Sequence, residues 1–184
     1  MKENIKTKIK ISDLVMIALF AAITAALSQI SIPTPTNVPI TLQTFAVALC
    51  GYCLGAKKGT AAILVYILLG VVGVPVFAGF SGGIASIASF AGGFIYGFLP
   101  FAFLSGISVN NKALRIGLGI VGLVVLHFFG VLHYSLLTSN SFIVSFWMVS
   151  APFLIKDVIS VVLAYFASLA VNKATSKAIG AMRS

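Results

Sequence analysis

Residues 114–137 read LRIGLGIVGLVVLHFFGVLHYSLL. After Arg115 this run holds no acid and no further Lys or Arg, and its only titratable groups are His127, His133 and Tyr134. A helix needs about 20 largely apolar residues to cross a bilayer, and this run exceeds that length. It carries no polar stripe with which to face water, so apolar surroundings are required on every side. The fold class turns on this stretch, and the rest of the chain agrees with it. Further apolar runs lie at about 11–32, 40–54, 60–74, 89–107 and 152–171. The first is closed by Pro33-Thr34-Pro35, the second by Gly55 and the third by Pro75. Pro152 suits the first turn of the last run, with Ser150 as a candidate cap. The expected architecture is an all-α integral membrane protein, with six transmembrane helices in one bundle and one domain over 1–184.

Composition supports the bilayer as solvent. Charged residues make up 8% of the chain and apolar ones 60%, whereas soluble domains are roughly 25% charged. A soluble fold of this size could not hide so much apolar surface. A soluble enzyme, a disordered tail and a disulfide scaffold are excluded. The net charge of +9 first suggests nucleic acid, but its distribution says otherwise. Lys2, Lys6, Lys8, Lys10, Lys57, Lys58, Lys112, Arg115, Lys173, Lys177 and Arg183 all fall on one side of a six-span chain. The opposite loops, 33–39, 75–88 and 138–151, contain no Lys, Arg, Asp or Glu. The positive-inside rule then puts both termini in the cytoplasm, at the bacterial cell membrane, and no nucleic-acid partner is expected. The basic start followed by an apolar run resembles a signal peptide, but the run is too long, so an uncleaved first span is expected.

Several motifs imitate chemistry. Cys50-Gly51-Tyr52-Cys53 has the C-x-x-C form, yet it lies near the end of an apolar span rather than at a helix start that would activate a thiol. No second pair completes a zinc site, so no metal is expected. Gly55-Ala56-Lys57-Lys58-Gly59-Thr60 does not meet the phosphate-loop pattern. Gly79-Phe80-Ser81-Gly82-Gly83 matches G-x-S-x-G, with His127 and His133 downstream. That combination keeps a rhomboid-like intramembrane serine protease as an alternative, although a turn-forming loop and packing histidines explain the same residues.

Lys156 and Asp157 are different. Lys156 is the cation away from the basic rim, and both residues occupy the first turns of the last span, near the outer side. Ionisable residues inside a span cost at least ~2.5 kcal/mol each near a helix centre and mark functional sites by default. Two readings stay open: a structural ion pair, or an anion-binding ammonium beside a carboxylate that accepts from an amide or urea. The second points to a small carboxylate ligand entering from outside. The uncharged loop after Ile32 fits it, stiffened by Pro33, Pro35 and Pro39 and offering Asn37, Thr41, Gln43 and Thr44. Phe77, Phe80, Phe90 and Tyr96 are candidate apolar walls. In span 1, Ala18, Ala22 and Ala26 recur every fourth residue, a spacing that lets another helix approach closely.

Taken together, VPITLQTF at 38–45, LGVVGVPVFAGFSGG at 69–83, GGFIYGF at 92–98 and Pro152-Phe153-Leu154 running to Asp157 resemble the biotin-specific S component (BioY family) of energy-coupling factor transporters. The resemblance covers nearly the whole chain. It implies a six-helix subunit, not itself an enzyme and holding no cofactor, that captures biotin outside. It would hand biotin inward with a transmembrane coupling protein and two cytoplasmic ATPases that use ATP. Ala18, Ala22 and Ala26 would meet the coupling protein. Lys156 and Asp157 would read the polar ends of biotin. Asn37, Gln43 and Thr44 would close over it, Phe80, Ser81, Gly82 and Gly83 would form part of a lid, and Tyr96 a wall. Two positions depart from the usual pattern. Ser89-Phe90-Ala91 stands where Gly-Pro-Thr is common, and Ser160 stands where the last helix commonly has Lys. A stand-alone secondary carrier for a small carboxylate, with Asp157 as its proton site, is the other alternative.

Overall fold

In a computed structural model the described residues are 10–181, with side chains described through 175. Lys2, Lys6, Lys8 and Arg183, and the side chain of Lys177, lie outside this range. Among the described residues there are seven α-helices and one pair of two-residue strands. The helices are α1 (Ile11–Ser28), α2 (Gln43–Val71), α3 (Ile84–Ala88), α4 (Gly92–Ser105), α5 (Lys112–Thr138), α6 (Phe142–Val149) and α7 (Leu154–Ala181). The strands are β1 (Ser31–Ile32) and β2 (Ile40–Thr41), antiparallel with Ser31 opposite Thr41. Four helices, α1, α2, α5 and α7, are long and apolar enough to cross a membrane, and α4 is a shorter apolar helix.

The helix count differs from six for identifiable reasons. The runs expected at 40–54 and 60–74 are two helical arms, numbered together as α2, that meet at Gly55 with non-helical φ 78° and ψ 168°. That residue turns the chain back on itself. Gln43 Nε2 donates to Tyr66 Oη at 2.7 Å across 23 residues, a separation of roughly 35 Å in a straight helix at 1.5 Å per residue. Short helices also form where loops were expected. α6 is started by Ser141, whose hydroxyl accepts from Val144 N, and α3 follows Gly83 at φ 85°. α1 stops at Ser28 instead of continuing to residue 32, because Ser31 and Ile32 pair with β2.

The fold has lipid-protein polarity. Leu68, Val124, Phe128, Leu136, Ile155 and Phe166 are exposed, while Thr24, Ser28, Ser105, Ser145, Ser160 and Ser168 are buried. Thr24 shows how a buried hydroxyl is satisfied: it donates to Phe20 O at 2.9 Å, one turn back. α1 presents Phe20, Ala21, Thr24 and Ser28 inward and leaves Ala18, Ala22 and Ala26 exposed on its other face. Cys50 is buried 3.5 Å from Thr24 Oγ1, and both cysteines are free.

One end of the bundle is built around the Gly55 turn. Lys58 pairs with Asp13 at 2.6 Å. Arg115 Nη2 donates to Tyr52 O at 2.9 Å and lies 5.9 Å from the Tyr52 and Tyr165 ring centres. A Cβ on Gly106 would sit 2.4 Å from Ala56 N and 2.5 Å from Ala56 Cα. Both neighbours are backbone, so the contact has no soft side chain to yield. Gly106→Ala is therefore expected to destabilise by about 1–3 kcal/mol through overpacking. The thermal midpoint of the detergent-purified protein should fall. Gly117→Ala, whose Cβ would meet nothing within 4 Å, should leave it unchanged or raise it. Equal midpoints for the two variants would refute the close contact.

Candidate ligand-binding site

At the other end lies a cavity of about 410 Å³, inside the ~300–1,000 Å³ range of small-molecule sites. Its rim comes from the β1–β2 hairpin. Thr34 Oγ1 donates to Val38 O at 2.8 Å, and Asn37 takes the left-handed conformation at φ 59°, which Asn tolerates better than most residues. Below the hairpin, Thr41 Oγ1 donates to Gln43 Oε1 at 3.0 Å, and Gln43 in turn holds Tyr66. The tip of residues 76–81 forms the facing rim. Phe77 N donates to Ser81 O at 3.0 Å, and Gln29 clasps the turn from the end of α1. Its Nε2 donates to Phe77 O at 3.2 Å and its Oε1 accepts from Phe80 N at 2.9 Å.

The cavity walls are apolar. Phe77 is packed edge-on to Tyr66, ring centres 5.4 Å apart, and its ring lies where a Cβ on Gly70 would be. Ala91, Phe94, Ile95 and Phe98 line one side, at the spacing of a single helical face. Leu126 and Phe153 complete the wall.

Two charged groups, Lys156 and Asp157, line the cavity. Lys156 Nζ lies 2.5 Å from Asp157 Oδ1 and donates to Thr41 O at 2.9 Å. Neighbouring helical positions diverge by about 100°, yet the long Lys stem curls back to its neighbour. Lys156 is 31% exposed in its side chain and Asp157 is 6%, and both line the cavity. An ammonium has three donors; one is engaged at Thr41 O, while the close approach to Asp157 Oδ1 is a charge contact without hydrogen-bond alignment. Behind Asp157, His127 Nε2 stands 3.3 Å from Oδ2, and His127 Nδ1 is 2.8 Å from Ser150 Oγ.

Residues 1–177 match the sequence profile of the BioY family. The chain belongs to the BioY family. Among relatives, it is 37% identical over 150 residues to the probable biotin transporter BioY of Pyrococcus horikoshii, covering 82% of this chain and 90% of that one. It is 34% identical over 171 residues to the biotin transporter BioY2 of Lactococcus lactis, covering 91% and 93%. Among solved structures it is similar to the S-component for biotin from an ECF-type ABC transporter. The TM-score is 0.81 at 25% identity, over 94% of this chain and 95% of that chain.

In this BioY-family chain the cavity gathers Asn37, Gln43, Thr44, Ser81, Lys156 and Asp157. Phe80, Gly82, Gly83 and Tyr96 are not among its lining residues. Phe80 has φ 56° and is 71% exposed. Gly82 instead packs on the backbone of Val74, and Gly83 supplies the positive φ before α3. Tyr96 faces α5, its hydroxyl 2.7 Å from His133 Nδ1, and Phe90 packs on Tyr134. The walls are thus Phe77 with Phe94, Phe98 and Phe153, not Phe80, Phe90 and Tyr96. The protease alternative loses its dyad. Ser81 Oγ donates to Ala78 O, while both histidines bond elsewhere, His133 to Tyr96 and Ser89 O and His127 to Ser150. One residue was missed at the sequence level: Gln29, a polar residue at the end of an apolar span, a signal that was readable. His127 is a buried, hydrogen-bonded histidine, in line with the packing reading of its sequence context.

Proposed function

We propose that this chain is the biotin-capturing membrane subunit of an ATP-driven energy-coupling factor uptake transporter in the cell membrane. The observation that carries the reading is the Lys156–Asp157 pair lining an otherwise apolar cavity with a polar rim. Biotin has matching parts: a valerate carboxylate, a ureido group with N–H donors and a carbonyl, and an apolar thioether ring. Lys156 would take the carboxylate, Asp157 an N–H donor, and Phe77, Phe94, Phe98 and Phe153 the apolar body. Asn37, Thr44 and Gln43 would close the rim, and the 80–83 turn would act as part of the lid through its backbone, not its side chains. Lys156 lies four residues before Ser160, one turn away on the same helical face. An ammonium from either position therefore points to the same side of α7.

The same reading includes six crossings: α1, the two arms of α2, α4, α5 and α7. The described cations other than Lys156 lie at the Gly55 end, away from the cavity, which supports cytoplasmic termini and an outward-facing site. The exposed Ala18, Ala22 and Ala26 would receive a coupling protein served by two ATPases. Titration of the purified chain with biotin, followed by calorimetry, should give saturable one-to-one binding below about 1 μM, or roughly −8 kcal/mol. No heat, or only millimolar affinity, would sink the proposal.

A further inference from the structure

His127 is a buried titratable side chain, 5% exposed, that lines no part of the main cavity. It stands on α5 with the Phe94 ring edge-on at 5.8 Å, between Ser150 at the end of α6 and Asp157 on α7. On its far side is a second, almost wholly apolar groove of about 310 Å³, lined by Val124, Phe128, Val131, Phe142, Phe146 and Leu154 with His127 and Ser150. The string Asp157–His127–Ser150 is therefore the partition between a polar cavity and an apolar groove.

The tautomer follows from the neighbours. A carboxylate has no proton to give, so a neutral imidazole with its lone pair at Nε2 would face Asp157 with repulsion. The proton belongs on Nε2, and Ser150 Oγ then donates to Nδ1 at 2.8 Å. A histidine ring is set this way by the bond its other nitrogen makes. The Nε2 to Oδ2 approach of 3.3 Å falls short of good hydrogen-bond geometry, and Nε2 has no hydrogen-bond partner among the described residues. Nε2 stands beside the carboxylate with its donor capacity unspent.

That spare capacity matters on ligand entry. In the chain alone, Asp157 is balanced by Lys156 at 2.5 Å. A ligand carboxylate competes for the same ammonium, and a buried carboxylate deprived of its partner is costly. We propose that His127, oriented by Ser150, is a positioning residue that holds and compensates Asp157 when a carboxylate ligand draws Lys156 away. The inference rests on the biotin reading of the site.

The test compares biotin with its methyl ester, by calorimetry on the full-length chain in detergent. Wild type should bind both. His127→Leu should weaken biotin about 30-fold, as expected for loss of one charge-assisted contact, and the ester less than about 3-fold, because only the charged ligand recruits Lys156. His127→Gln, which keeps an N–H donor, should recover biotin to within about 5-fold of wild type. Should His127→Leu fail to fold, Ser150→Ala is expected to show the same ligand-selective loss at about 5-fold. Equal losses for acid and ester, or no rescue by Gln, would reduce His127 to packing and overturn the proposal. Wild-type affinity in His127→Leu overturns it too, while leaving the biotin reading intact. Failure of wild type to bind biotin removes both.

Discussion

Lys156→Ala is expected to weaken biotin about 100-fold while changing the affinity of biotin methyl ester less than about 3-fold. The Lys156 ammonium donates to Thr41 O, pairs in charge with Asp157 and lines the cavity with donor capacity to spare. A charge-assisted hydrogen bond is worth roughly 1.5–3 kcal/mol net, and in a site walled by Phe77, Phe94 and Phe98 the attraction is less screened than in water. The upper end of that range corresponds to about a hundredfold. The ester keeps the ring system and ureido group but not the charge, so it has little to lose. Parallel isotherms for acid and ester decide the matter, and equal losses would take Lys156 out of the carboxylate site. Lys156→Arg makes a second check. Its fork is longer and planar, so it should restore part of the affinity at most.

Much of this site could be read from the sequence because charge is so sparse in the chain. Lys156 and Asp157 stand out from a background of apolar residues, and both line the cavity. Asn37 in the hairpin and Gln43 and Thr44 at the start of α2 were legible for the same reason. The apolar wall was not. In α4 nearly every residue is apolar, so no contrast tells which face turns inward. The residues at 91, 94, 95 and 98 face the cavity and Tyr96 faces His133, a choice set by where Gly93 lets α4 approach α5. A Cβ there would lie 2.5 Å from Phe129 O. The break at Gly55 was visible, but not the close packing of the two arms of α2 that it joins. That depends on distant contacts, Gly59 against Cys50 O and Gln43 against Tyr66. α6 was hidden by the polar residues before it; Ser141 works as a cap, which starts a helix, although Thr138-Ser139-Asn140-Ser141 reads as a loop.

The second large effect separates what Lys156 and Asp157 do for the fold from what they do for the ligand. Asp157→Leu removes a carboxylate that is 4% exposed and leaves the Lys156 ammonium without its counter-charge, held by Thr41 O alone. Breaking a buried pair from one side typically costs about 3–5 kcal/mol, about 6–20 °C in thermal midpoint at ~2–4 °C per kcal/mol for chains near this size. The double variant Lys156→Met, Asp157→Leu takes out both charges and keeps similar volume. An unbranched Met follows the path of the Lys stem, and Met adapts to irregular gaps. Replacing a whole buried pair by apolar residues is often neutral or stabilising, so the double variant should recover most of the lost midpoint. Its biotin binding should nevertheless be absent at 1 mM. Midpoints followed by fluorescence-detected size exclusion on matched detergent samples, with calorimetry on the same preparations, give both readouts. If the double variant is as unstable as the single one, the pair is a structural clamp and its placement in the cavity lining is incidental. If it is stable and does not bind, the chain keeps two expensive charges for the ligand alone.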